Sequence, residues 1–141
     1  MNIPELLITL HINTLHSLKL IAKKNQLSMQ QVLCIYSIPL DGITQTNLAE
    51  FLSIEISTLS RNLDKLAYQN IIIKKSVTDD NRFLKIFLTN QGLHLFANIL
   101  SDLQDYTQNL DLDIEADDIQ SITDSLISLN WHILKHKTKH V

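Results

Sequence analysis

The stretch "LSIEISTLSRNLDKLAYQNIIIKKSVTDDNRFLKIFLT", residues 52–89, decides the fold. Its first half has helical spacing: Ile56, Leu59, Leu63 and Leu66 fall three or four apart and predict a core-facing stripe. The opposite side carries Glu55, Thr58, Arg61, Asn62 and Lys65. Ser53 is expected to cap this helix at its start. Asn70 is expected to end it, because Asn is second only to Gly in tolerating the left-handed backbone of a helix end. The second half changes character. Residues 71–75 and 82–88 are rich in β-branched and aromatic side chains and predict two strands, with residues 77–81 as an acidic turn between them.

Upstream, Thr44 is placed to cap a short helix carrying Leu48, Ala49, Phe51 and Leu52, and Pro39, Asp41 and Gly42 mark a turn before it. Ser28 is placed to cap a helix from residue 29 to about 38. Pro4 suits the first turn of a leading helix that runs to about residue 24. That helix carries Leu6, Leu7, Ile8, Leu10, Ile12, Leu15, Leu18, Leu20 and Ile21, so it is apolar on more than one face and calls for partners on several sides. Downstream, Thr89 is placed to cap a fifth helix reaching about residue 110. Asp113 is placed to cap a sixth, with Ile119, Ile122, Leu126, Leu129 and Ile133 as its core stripe.

The order is four helices, a hairpin and two helices. A short third helix, a tight turn and a longer fourth helix make a helix-turn-helix, and the hairpin behind them is a wing. The fold class is mainly α, α+β in detail: a winged helix-turn-helix with a two-stranded wing, plus terminal helices forming a helical dimerisation region. This combination suits DNA. A helix has the width to enter a major groove, and a hairpin tip can reach the neighbouring minor groove or phosphates.

At these residues the chain resembles the MarR family of winged-helix transcriptional regulators. The resemblance is carried by "LS" at residues 52–53, "LSRNLDKL" at 59–66, "DNR" at 80–82 and "LTNQG" at 88–92, with "TQTNLAEFL" at 44–52 and "LSMQQVLCI" at 27–35 as flanking helices. It covers residues 27–92 strongly and the terminal helices in pattern alone. Asn70 stands where the family has Gly, and Arg61 and Arg82 are the only arginines, where family members often carry more.

Arg61 is the leading candidate for base reading, since its fork fits guanine O6 and N7 or a phosphate. Ser57, Thr58 and Asn62 stand near it, with short side chains that permit close approach. Each is otherwise an ordinary solvated residue, as Arg61 would be if paired to Asp64 or Glu55. The resemblance implies that Arg82 enters the minor groove, with Asp80 orienting it or bracing the turn. Lys74, Lys75 and Lys85 read as phosphate contacts or solvated strand residues. Cys34 lies in an apolar helical stretch without basic neighbours, which favours a buried structural thiol over an oxidant sensor. His132, His136 and His140 recur every fourth residue, a spacing that can chelate a divalent metal. With Lys135, Lys137 and Lys139 beside them, they suit the C-terminus of a helix better. No metal and no cofactor are expected.

Composition sets the remaining bounds. The chain has 141 residues with 45 % apolar content, enough for a core, and few Gly or Pro. One cysteine excludes an internal disulfide framework. No apolar run is long enough to span a membrane, and no signal peptide is legible, so a cytoplasmic protein is expected. The formal charge is −3, which alone argues mildly against nucleic acid. The acidity is concentrated after residue 93, in Asp102, Asp105, Asp111, Asp113, Glu115, Asp117, Asp118 and Asp124. No nucleophile–base set, phosphate loop or paired carboxylate suggests an enzyme.

The expected organisation is an N-terminal dimerisation helix (1–25), a DNA-binding winged helix-turn-helix (26–92) and C-terminal helices completing the dimerisation region (93–141). The expected function is a sequence-specific transcriptional regulator, a repressor. It would bind double-stranded DNA as a homodimer on a pseudo-palindromic operator and be relieved by a small aromatic or lipophilic effector. The alternative is a winged-helix protein-interaction module, or antirepressor, that binds DNA weakly.

Overall fold

A computed structural model describes residues 2–79, 83–110 and 114–139. The elements are α1 (Ile3–Lys24), α2 (Met29–Ser37), α3 (Gln45–Leu52), α4 (Ile56–Tyr68), β1 (Ile72–Ser76), β2 (Leu84–Leu88), α5 (Asn90–Gln108) and α6 (Ala116–Lys139). They fall into two compact units, residues 1–107 and 108–141.

Short side chains set the helix starts. The Asn2 side chain accepts a hydrogen bond from the Glu5 backbone N–H, and the Glu5 carboxylate accepts one from the Asn2 N–H, closing a box around the first turn of α1. Ser28 and Gln31 do the same for α2. The Thr44 hydroxyl accepts from the Asn47 N–H at the start of α3. The Thr89 hydroxyl accepts from the Gly92 N–H at the start of α5 and donates to the Asn70 carbonyl, so one side chain joins the end of α4 to the start of α5.

Three helices end alike. Gln26, Ser53 and Asn70 take left-handed backbone angles, with φ of 57°, 55° and 59°. Each N–H bonds three residues back, and the N–H of the following residue, Leu27, Ile54 or Ile71, bonds five residues back. This is the Schellman pattern, and the following residue is apolar each time, as the motif favours. Asn70 therefore acts as its sequence suggests. Ser53 does not: it ends α3 instead of capping α4. The residue before α4 is Glu55, which makes no capping side-chain bond. Serine suits both a helix start and a tight turn, so its residue type does not separate the two roles.

The core of the first unit is built from Ile21 and Ala22 of α1, Val32, Cys34 and Ile35 of α2, Leu48 and Ala49 of α3, Leu59, Leu63 and Leu66 of α4, Ile72 of β1, Ile86 of β2 and Ile99 of α5, with Ile38 and Ile71 from the connections. The winged helix thus recruits the last turns of α1 and the middle of α5. Strands β1 and β2 pair antiparallel, with Ile72 opposite Leu88 and Ser76 opposite Leu84. Ile43, just before α3, bridges to Ile86 through both backbone groups and adds a one-residue third rung. Two glycines permit close approach. A Cβ on Gly42, whose φ is +77°, would lie 2.6 Å from the Phe87 ring, and one on Gly92 would press directly against the Ile71 carbonyl oxygen.

Near the end of α1, the Lys24 ammonium and the Asn25 amide both bond the Asp102 carboxylate of α5. Burial pushes the Asp102 carboxyl up, but the bonds from Lys24 and Asn25 and the Lys24 charge outweigh it, leaving its pKa below the usual value. Earlier in α1, Ile3, Leu6, Leu7, Ile8, Leu10 and Ile12 are exposed.

In the second unit, the cap assigned to Asp113 lies outside the described residues. The Glu115 carbonyl accepts from the Asp118 and Ile119 N–H groups at the start of α6. The expected stripe on α6 is not core within a single chain: Ile119, Ile122, Leu126 and Ile133 are exposed and Leu129 is half-buried. An apolar stripe of this kind requires a covering surface. Among the described residues, no helix is long and apolar enough to cross a membrane.

Candidate nucleic-acid interface

The outward face of α4 is held in place by its inward one. Leu59, Leu63 and Leu66 are fully buried, and each such side chain contributes about 1.5–3 kcal/mol by leaving water. Ser57, Arg61 and Lys65 project to solvent from the other side, with Thr58 and Asn62 half-buried on the flank. The Asn62 amide donates to the Thr58 carbonyl at 3.2 Å, and Arg61 Nε approaches the Ser57 carbonyl at 3.5 Å. The second contact lies at the outer limit of hydrogen bonding. It lays the arginine back along the helix toward its first turn.

Pairing of Arg61 to Asp64 or Glu55 is not what the structure shows. Among the described residues, no ion pair engages Arg61, and Asp64 faces Lys74 of β1 instead at 3.9 Å. The guanidinium fork is therefore available to a ligand. The expected residues of α4, Ser57, Thr58, Arg61 and Asn62, gather on its first two turns. Asp80 and Arg82 lie outside the described residues.

The wing lysines have intramolecular neighbours. Besides the Lys74–Asp64 contact, Lys75 lies over the Phe87 ring, 5.6 Å from its centre, and Lys85 donates to the Asp41 carbonyl at 3.3 Å. These contacts brace the hairpin against α4 and the turn before α3. Exposed ion pairs of this kind are weak, so the ammonium groups remain able to turn toward a phosphate.

One residue of this face was missed by sequence reasoning. Ile56 belongs by spacing to the buried stripe, yet it is 51 % exposed. The stripe runs past the end of the core: α4 starts at Ile56, and its first turn reaches beyond the elements that cover Leu59. The signal lay in the helix start, which the misreading of Ser53 placed too early.

Cys34 is fully buried, and burial pushes its thiol up to about 11 from an ordinary 9.0. This agrees with a structural thiol. Among the described residues, no three His, Cys, Asp or Glu side chains gather as metal ligands. The His132 ring packs edge-on to Trp131.

A model of the MarR family matches residues 27–83, the span from α2 through β1 to the residue before β2. Among solved structures, a crystal structure of MarR superposes with a TM-score of 0.84 at 19 % identity, covering 99 % of this chain and 95 % of that one. Staphylococcus aureus MarR in complex with salicylate and kanamycin gives 0.77 at 22 % identity, covering 91 % and 87 %. A mutant of S. aureus MepR bound to an oligodeoxyribonucleotide gives 0.63 at 18 % identity, covering 94 % and 99 %. No curated protein matches the chain by sequence. The helix-turn-helix and the first strand of the wing are matched by a model of the MarR family, and the likeness to solved MarR structures extends over the terminal helices, so the chain has a MarR-like winged-helix fold.

Proposed function

We propose that this protein is a sequence-specific DNA-binding transcriptional regulator, a repressor that acts as a homodimer on a pseudo-palindromic operator. The observation that carries the reading is the first two turns of α4. There Arg61 is exposed and unpaired among the described residues, Ser57, Thr58 and Asn62 surround it, and three buried leucines fix the helix beneath. A dimer would set two such helices about one DNA turn apart, roughly 34 Å. The exposed apolar residues of α1 and α6 supply the surface for that dimer. By the family resemblance, Arg82 is expected to extend the grip to the minor groove, with Asp80 orienting it or bracing the turn. The oligonucleotide-bound MepR supports DNA as the ligand, and the salicylate-bound MarR supports a small aromatic or lipophilic effector that releases it. Such an effector acts by preferring one spacing of the two reading heads over the DNA-competent one.

The test is binding of full-length parent, Arg61→Ala and Arg82→Ala to an enriched duplex and to scrambled DNA over a salt series, with folding checked by circular dichroism. Arg61→Ala is expected to cost about 1–3 kcal/mol on the preferred duplex and to relax preference at one position. Arg82→Ala is expected to weaken binding to all sequences and to flatten the salt dependence. If both variants stay folded and bind as the parent does, the DNA reading fails. The second reading, a winged-helix module or antirepressor that binds a protein, would then replace it. That reading is favoured by the net charge of −3 and by the internal neighbours of Lys74, Lys75 and Lys85.

A further inference from the structure

The first turn of α4 presents two residues that neither the core nor a cap explains. Ile56 is half-exposed although the rest of its stripe is fully buried. Glu55, directly before it, is exposed and makes no capping bond. A bare helix N-terminus attracts phosphate, whereas a carboxylate at that position repels it. This end of α4 is therefore poorly suited to rest on the DNA backbone and better suited to point at base edges, as the N-terminal residues of a recognition helix do. The Arg61 side chain lies back toward the same turn, with Nε near the Ser57 carbonyl. A guanidinium fork and a branched aliphatic side chain thus both reach the first turn of the helix, from different sides of it.

In the major groove, the chemistry that accepts an aliphatic side chain is the C5-methyl group of a pyrimidine. We infer that Ile56 is a specificity-determining residue that packs on a pyrimidine 5-methyl group near the base read by Arg61. Resting on the DNA-binding reading above, this adds an apolar half to a site otherwise built from polar groups. Thymine and 5-methylcytosine both supply the methyl group, and they are separable by experiment.

Full-length protein is first used to enrich duplexes from a randomised pool. Affinities of the parent, Ile56→Ala and Arg61→Ala are then measured on the best duplex and on versions with each thymine replaced in turn by deoxyuridine, which removes only the methyl group. At one thymine per half-site, the replacement is expected to weaken the parent about 3–5-fold, the effect of exposing roughly one methyl group. Ile56→Ala is expected to weaken binding by a similar factor and to be indifferent to that same replacement. A duplex with 5-methylcytosine at that position should regain the lost factor for the parent and not for Ile56→Ala. If Arg61→Ala weakens binding and no deoxyuridine replacement affects parent and Ile56→Ala differently, the inference is overturned while the DNA reading stands. If no duplex is enriched, both fall. The deoxyuridine series on the parent needs no substitution in the protein, so a folding defect in a variant cannot rescue the inference.

Discussion

Cys34 and Arg61 represent opposite ends of what a single residue can do in this chain. Arg61 is exposed, without an ion-pair partner among the described residues, and seated on a helix anchored by three buried leucines. Cys34 is enclosed by the core, and its thiol holds its proton to about pH 11. A thiol that is neither ionised nor accessible is a poor nucleophile at neutral pH. Native protein is therefore expected to react with a disulfide reagent at least a hundred-fold more slowly than the guanidinium-unfolded chain, a difference read directly by absorbance. The linkage has a definite sign. The folded state binds the proton more tightly than the unfolded state, so this contribution to stability is present below pH 9 and is lost as pH rises toward 11. Melting curves of parent and Cys34→Ala should converge over that range. Sequence alone indicated the buried thiol, since apolar neighbours without a basic residue leave little else. It placed Ile56 in the core by spacing, because the helix start was read too early, at Ser53.

At the scale of elements, the local chemistry of helix starts was the most legible part of the chain. Ser28, Thr44 and Thr89 cap the helices that their positions imply, because such a cap needs only one side chain and the backbone three residues on. Contacts across long sequence separations were not legible. The Ile43–Ile86 bridge is one residue long and leaves no periodic signal. The union of Lys24, Asn25 and Asp102 joins positions that no local pattern relates. That union pins the end of α1 to α5, and Asp102→Ala is expected to lower the melting temperature by roughly 3–6 °C, the shift for a charge-assisted bond weakened by solvent. Its pH dependence runs opposite to that of Cys34. The folded carboxyl sits below its ordinary 3.8, so the contribution is present above that pH and is lost as pH falls below it. Thermal melts of both proteins between pH 2.5 and 6 should show the difference shrinking toward the acid end.

At the scale of the whole molecule, the two terminal helices each leave a run of apolar side chains on the surface. Ile3, Leu6, Ile8 and Ile12 lie on α1, and Ile119, Ile122, Leu126, Ile127 and Trp131 lie on α6. Soluble chains rarely leave this much contiguous apolar helix uncovered. The expected outcome is a dimer by sedimentation velocity at micromolar concentration, and aggregation or loss of cooperative melting when residues 1–24 are removed. A full-length monomer would sink the dimer. The winged helix could be read from sequence because its own helices and strands supply most of its core, so pattern and burial largely coincide there. The terminal helices could be read as helices, but the stripe on α6 could not be assigned a neighbour, because periodicity reports that a face is apolar and not what it meets.

The helix ends at Gln26, Ser53 and Asn70 imply an unused margin of thermal tolerance. A residue bearing a Cβ gives up roughly 1 kcal/mol in the left-handed region, and glycine does not. Glycine also loosens the unfolded chain, which returns part of the gain. Each of Gln26→Gly, Ser53→Gly and Asn70→Gly is expected to raise stability by about 0.5 kcal/mol, and together they should lift the melting temperature by several degrees. Scanning calorimetry of the triple variant is the measurement. No rise, or a fall, would mean that side chains at these joints make contacts worth more than the strain they cause. A chain that closes three helices without glycine thus leaves hardening at three positions open to it.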